Sequence, residues 1–142
     1  MLKIEKLDVF YDGLQALYSL SLDIQAEEFV CILGPNGAGK STLLQTIAGM
    51  LVPEQGAISF KNSPIHGIPA YKVASLGLAL VPEEGWLFGQ MSVEENLLMG
   101  AYPKMARRKI KQQMDFVFDL FPILAERRKQ YEETLSGGER QM

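Results

Sequence analysis

One cysteine, one histidine and one tryptophan stand among the 142 residues, and the first two scarcities each close off a class of function. Cys31 alone cannot form a disulfide within the chain, which fits a reducing compartment. It sits inside an apolar run with no histidine nearby in sequence to activate it, so it is expected to be a small buried hydrophobe and not a nucleophile. His66 lies in the loop between Pro64 and Pro69 with no second ligand or acid placed beside it, and is expected to face solvent. No apolar run approaches the roughly 20 residues that span a bilayer. The N-terminus, Met1-Leu2-Lys3-Ile4-Glu5, alternates like a strand and lacks the apolar core of a signal peptide. Excess charge is missing too: the net charge is −3, so nothing overall calls for a nucleic-acid partner. With 47% hydrophobic and 22% charged residues, the chain has the composition of a globular domain and can bury a sizeable core. It reads as soluble and cytoplasmic, with any membrane association made through a partner.

What is present begins with Gly34-Pro35-Asn36-Gly37-Ala38-Gly39-Lys40-Ser41-Thr42, which satisfies the P-loop pattern G-x-x-x-x-G-K-[ST] at each required position. The preceding Glu28-Phe29-Val30-Cys31-Ile32-Leu33 reads as a parallel strand buried on both faces. Residues 41–50 suit a helix, with Leu43, Leu44, Ile47 and Leu51 on one face. Glycines in such a loop let backbone N–H groups turn inward around phosphate oxygens. Lys40 can then reach the β- and γ-phosphates, the Ser41 hydroxyl can ligate Mg²⁺, and the helix adds its positive end.

Upstream, Leu2, Ile4, Leu7, Val9 and Tyr11 suggest a first strand whose alternation slips near Glu5-Lys6, as at a bulge. Asp12-Gly13 is a turn, and 17–24 alternates again with Tyr18, Leu20, Leu22 and Ile24 on one face. Downstream, Pro53 and Gly56 stop the helix and Ala57-Ile58-Ser59-Phe60 is a short strand. Residues 70–76 suit a helix, and Leu78-Ala79-Leu80-Val81 reads as a second buried parallel strand. From there the character is helical. Ser92-Val93-Glu94-Glu95 is a capping box for a helix through Met99, ended by Gly100 and Pro103. Ile110, Met114, Val117, Phe118 and Phe121 form one apolar stripe, which Pro122 breaks. The basic runs Arg107-Arg108-Lys109 and Arg127-Arg128-Lys129 read as solvated helix faces. Near the end, Leu135-Ser136-Gly137-Gly138-Glu139-Arg140-Gln141 holds a second glycine turn: Ser136 can cap a helix, and Glu139 completes a capping box.

The two glycine turns together make the chain resemble the ATP-binding subunits of ABC transporters, whose signature is L-S-G-G-x-Q; here one residue separates Glu139 from Gln141, a common variant. The wording is most similar to the branched-chain amino-acid importer branch in Val9-Phe10-Tyr11-Asp12-Gly13-Leu14-Gln15-Ala16-Leu17, residues 34–42, Val81-Pro82-Glu83, residues 92–102 and Leu120-Phe121-Pro122. The resemblance implies an α/β fold: a P-loop NTPase-type parallel core sheet, an N-terminal antiparallel β part and an α-helical subdomain, with the C-terminal part of the core missing. It divides the chain into residues 1–82, the P-loop core and β part, and residues 83–142, the helical subdomain ending at the signature.

The resemblance also implies roles. Gly34, Asn36, Gly37, Ala38, Gly39, Lys40, Ser41 and Thr42 hold ATP, Tyr11 stacks on adenine, and Ser41 holds Mg²⁺. Glu83 takes the Q-loop position, where its carboxylate could hold Mg²⁺ or the attacking water. Residues 85–91, with Trp86, Leu87 and Phe88, face a transmembrane permease subunit. A second ATP-binding subunit stacks head to tail, so that Ser136, Gly137 and Gly138 reach in trans the γ-phosphate on the partner's P-loop. The chain is thereby expected to lie on the inner face of the cell membrane through its partners. In the family the Mg²⁺ aspartate, the water-polarising glutamate and the switch histidine follow the signature. The 142 residues, read as a truncated product or a fragment, are therefore expected to bind ATP and to hydrolyse it poorly or not at all. A soluble ABC ATPase without a membrane partner, and an inert or regulatory fragment, are the alternatives. A dinucleotide-binding reading fails, because the glycines are spaced G-x-x-G-x-G and Lys61-Asn62, not an acid, follows Phe60.

Overall fold

In the computed structural model, residues 1–11, 13–82, 86–102 and 104–142 are described, Lys104 and Met105 by their backbone only. Asp12 of the expected turn, Gly85 of the expected partner-facing loop and the helix-ending Pro103 lie outside the described residues. The chain forms two compact units, Met1–Leu80 and Val81–Met142.

The first unit is built on strands β1 (Leu2–Tyr11), β2 (Leu14–Ile24), β3 (Gln55–Phe60) and β4 (Ser63–Pro64). They form an antiparallel sheet in the order β2-β1-β3-β4. The slip in the β1 pattern is a bulge. Lys6 has φ 45°, and the pairing with β2 jumps from Ile4↔Leu22 to Leu7↔Leu20. One extra residue on β1 turns Leu2, Ile4, Leu7 and Val9 all to the core. A second bulge, at Ser19 (φ 43°), compensates on β2, where the pairing goes from Leu7↔Leu20 to Val9↔Leu17. That bulge breaks the alternation expected of β2: Leu17 is buried and Tyr18 points outward, while Leu20, Leu22 and Ile24 stay half-buried.

Helix α1 (Lys40–Ile47) lays Leu43 and Ile47 on the core, and α2 (Ala70–Ser75) adds Val73. The α1 stripe is narrower than its spacing suggested, since Leu44 is exposed. Each aliphatic side chain wholly withdrawn here, such as Leu7, Val9 or Ile58, contributes about 1.5–3 kcal/mol. His66 is exposed, with Nδ1 3.3 Å from the backbone of Ile58.

Neither expected parallel strand forms, and the parallel core sheet is absent among the described residues. Residues 28–35 and 78–82 carry no ladder, because no strand in the described chain runs beside them. Phe29 is 94% and Leu33 87% exposed. Cys31, expected to be buried in that strand, is exposed for the same reason.

The second unit is helical: α3 (Val93–Gly100), α4 (Lys104–Arg107), α5 (Ile110–Leu120), α6 (Pro122–Glu126), a 3₁₀ turn (Glu132–Thr134) and α7 (Gly137–Arg140). Val93, Leu124 and Leu135 form its core, with Leu97, Val117, Phe118, Phe121 and Ile123 packed around them. Pro122 ends α5 but does not open a loop. It takes the first turn of α6, where its missing N–H has no intrahelical partner to lose. The Ser92–Glu95 capping box is formed on both sides. The segment before it keeps Trp86, Leu87 and Phe88 exposed, and the Asn96 side chain clamps Phe88 by accepting from its N–H and donating to its carbonyl.

Candidate functional site

Residues 34–42 close into a tight loop in the first unit. The Ala38 amide donates to the Pro35 carbonyl at 3.2 Å, and Asn36-Gly37 make the turn. Gly37 and Gly39 have φ +85° and +86°, a region that costs any other L-residue about 1–2 kcal/mol. At Gly34 a Cβ would come within 3.2 Å of Ala38 Cβ. Gly39 caps α1 and presses on β2, where a Cβ would meet Leu17 Cδ2 at 2.7 Å and the Ala16 carbonyl at 2.8 Å. The loop is thus seated on the sheet through Ala16 and Leu17.

The first α1 amides, those of Lys40, Ser41 and Thr42, have no intrahelical acceptor, and no acid stands in that turn. The Lys40 ammonium folds back over the loop and donates to the carbonyls of Gly34 and Pro35, 2.8 Å each. Ser41 is exposed and Thr42 half-buried, its carbonyl accepting from the Thr46 hydroxyl. Free amides, an unopposed helix N-terminus and a lysine already paired with oxygen suit a ligand rich in anionic oxygens. Tyr11 ends β1 opposite Leu14 and is exposed. It stands two residues beyond Val9, the partner of Leu17, and so about 7 Å along the strand from the β2 residue that backs Gly39. Glu83 lies outside the described residues.

The second glycine turn belongs to the second unit. Ser136 accepts from the Glu139 amide, while its own amide and hydroxyl both donate to Glu139 Oε2, at 2.9 and 2.8 Å. Those bonds hold the Glu139 carboxyl below the usual carboxylate range, with the Arg127 guanidinium adding to the effect. Gly137 and Gly138 are exposed, with open space where a Cβ would stand.

A sequence profile described as ABC transporter matches residues 17–142. The chain belongs to the ABC transporter family. Over all 142 residues this ABC protein is 39% identical to the high-affinity branched-chain amino acid transport ATP-binding protein BraG of Pseudomonas aeruginosa. It is 37% identical to the probable branched-chain amino acid transport ATP-binding protein LivF of Archaeoglobus fulgidus. The match covers all of this chain and 60% of each relative, so the chain spans about three fifths of their length. A sulfate/thiosulfate import protein, CysA of Pseudomonas syringae, is 36% identical over 138 residues, 92% of this chain and 40% of that protein. Among solved structures, a nucleotide-free ATP-binding cassette from an ABC transporter superposes with a TM-score of 0.81 at 25% identity, covering 99% of this chain and 60% of that one. CbiO1 of Clostridium perfringens superposes at 0.77 with 31% identity, over 99% and 57%.

In this ABC chain the sequence reading found the two glycine turns and missed what braces them. Arg140 reaches back from α7, its Nη2 donating to the Glu133 carbonyl at 2.8 Å and its Nε 3.0 Å from the buried Glu132 carboxylate. Arg127 holds Glu139 from α6's end at 3.2 Å. Two of the three residues in the run 127–129, read as a solvated face, are therefore ion-paired, as Arg128 also pairs with Glu94 and lies 5.2 Å over the Phe118 ring. Arg127 and Glu139 stand 12 residues apart in sequence and Arg128 and Glu94 34, and nothing in the spacing distinguished these pairs.

Proposed function

We propose that the chain is the nucleotide-holding part of an ABC importer's ATP-binding subunit. The observation that carries the reading is the Lys40 ammonium bound to two loop carbonyls at the mouth of an unopposed helix N-terminus. A triphosphate offers Lys40 charged oxygens in place of neutral ones, the stronger hydrogen bond. The residues fit ATP: the amides of the loop and of the first α1 turn face the phosphates, Lys40 takes the β- and γ-oxygens, and Tyr11 offers its ring to adenine. Ser41 would hold Mg²⁺, and Glu83 would be a second oxygen donor for it. Mg²⁺ supplies charge neutralisation between the phosphates when bound.

Ser136, Gly137 and Gly138 complete the site of a second subunit stacked head to tail. There the Ser136 hydroxyl exchanges Glu139 for a γ-phosphate oxygen. The cassette lies against permease subunits on the inner face of the membrane. Branched-chain amino acids are the proposed cargo class, on the strength of BraG and LivF, with CysA marking the breadth of importers that share the wording.

Titration calorimetry with ATP and Mg²⁺ tests the central claim. Lys40→Ala loses one or two charge-assisted hydrogen bonds and weakens binding about 10- to 100-fold. Undiminished binding by this variant, or no binding by the parent chain, overturns the reading.

A further inference from the structure

Between Glu95 and Asp115 the chain has no acid, yet Arg107, Arg108, Lys109 and Lys111 crowd into five residues of a protein whose net charge is −3. All four are exposed. The other three arginines of this unit, Arg127, Arg128 and Arg140, each pair with a glutamate. None of the four crowded cations has a carboxylate within ion-pair distance among the described residues; Arg107 lies 5.3 Å over the Tyr102 ring. Asp115, one turn along from Lys111, shares their cleft without pairing.

Helix α5 gains nothing from its share of these cations. Lys109 is the N-cap of the 11-residue α5 and Lys111 is in its first turn, where no acid offsets them. Cations there oppose the helix dipole. Arg108, Lys109 and Lys111, with Ile110 and Gln112, line an open cleft of about 470 Å³. The Tyr102 ring under Arg107 is itself exposed, as are Leu98 and Met99 of α3. Cations without a carboxylate partner beside an exposed tyrosine match an anionic bilayer surface, the cations its headgroup phosphates and the amphipathic ring its interfacial layer.

We propose that Arg107, Arg108, Lys109 and Lys111 contact anionic lipid headgroups directly, so that the second unit has its own hold on the membrane. The inference rests on the proposed function only for the nearness of a bilayer, and it needs neither nucleotide nor permease. The test is co-sedimentation of the nucleotide-free chain with phosphatidylcholine vesicles that contain or lack phosphatidylserine. Binding is expected only to the anionic vesicles and is lost in high salt. Each cation contributes about fivefold, so the variant Arg107→Gln, Arg108→Gln, Lys109→Gln, Lys111→Gln binds at least a hundredfold more weakly. A charge-matched variant, Lys6→Gln, Lys61→Gln, Lys72→Gln, Lys129→Gln, keeps most of the binding.

Equal loss in both variants, or equal binding to uncharged vesicles, overturns the proposal. So does binding to a single-stranded RNA oligonucleotide as tight as to anionic vesicles, which would make the run a general polyanion site. ATP calorimetry on the same samples separates the two claims, because failure to bind nucleotide leaves the vesicle result standing.

Discussion

Gly37 and Gly39 have nearly the same backbone conformation and very different surroundings, so replacing each with alanine separates local strain from packing. At Gly37, φ +85°, an added Cβ meets nothing within 4 Å. The left-handed conformation costs alanine about 1–2 kcal/mol. The stiffer unfolded chain returns about 0.4–1 kcal/mol. The net loss is about 1 kcal/mol. At Gly39, φ +86°, the same strain applies, and the Cβ also falls 2.7 Å from Leu17 Cδ2 and 2.8 Å from the Ala16 carbonyl. A leucine tip can rotate away, but a backbone carbonyl moves only with its strand, and forced overpacking adds about 1–3 kcal/mol. Gly39→Ala should therefore lose about 2–4 kcal/mol. Urea unfolding of the nucleotide-free protein, followed by circular dichroism, reads both. With a slope near 1.5 kcal/mol per molar, the midpoint drops by about 0.5–1 M for Gly37→Ala and about 1.5–2.5 M for Gly39→Ala. Equal drops, or the larger drop at Gly37, would refute the seating of the loop on β2.

Three further outcomes are expected. The carboxyls of Glu95 and Glu139 are both held below their usual range, chiefly by the serine amides they accept from. The stability they add is thus in place above the ordinary carboxylate pKa of about 4.3 and lost as pH falls through their lower folded values. Unfolding midpoints measured across acid pH should show this loss, and Ser92→Ala and Ser136→Ala should each blunt it while costing about 1 kcal/mol at neutral pH. Arg140→Ala strips the buried Glu132 carboxylate of its cation and the Glu133 carbonyl of a donor, for a loss of about 1–3 kcal/mol by denaturant titration. Arg140→Lys, which lacks the guanidinium fork, should recover only part of it. Cys31, being exposed, should react with a thiol-specific disulfide reagent in the native state without denaturant, whereas protection until unfolding would place it back inside a sheet.

Features of the fold that depend on local chemistry could be read from the sequence. The β1 bulge shows as a slip in alternation, and the boxes at Ser92 and Ser136 show as Ser and Glu three apart. The P-loop shows as glycine at positions that need positive φ. Features that depend on a distant partner could not. The β2 bulge at Ser19 exists to answer the one on β1, and no residue type announces it. The run 29–33 has the composition of a central strand, but a strand is a pairing and not a property of one segment, so without a neighbour all of those residues but the half-buried Val30 lie exposed. At the site, the glycine turns carry a pattern, whereas the Arg140–Glu132 and Arg127–Glu139 pairs depend on how a 3₁₀ turn and two short helices come together.

The three register shifts of the β1–β2 pairing, at Ile4/Leu7, Leu7/Val9 and Val9/Phe10, make the hairpin a ruler. Asp8 Oδ1 accepts from the Ser19 amide at 2.8 Å and from the Gln15 side chain at 2.7 Å, fastening the bulged stretch of β2 to β1. The Lys6 amide is tied to the Ser21 hydroxyl at 2.9 Å. A slip of one residue would break these ties and turn Leu7 and Val9 out of the core, so the hairpin has one setting. One of its marks is Leu17 against Gly39, and another is Tyr11 at the far end. The spacing between the phosphate loop and the proposed base platform is then graduated by a single carboxylate, Asp8, which would touch neither end of the nucleotide.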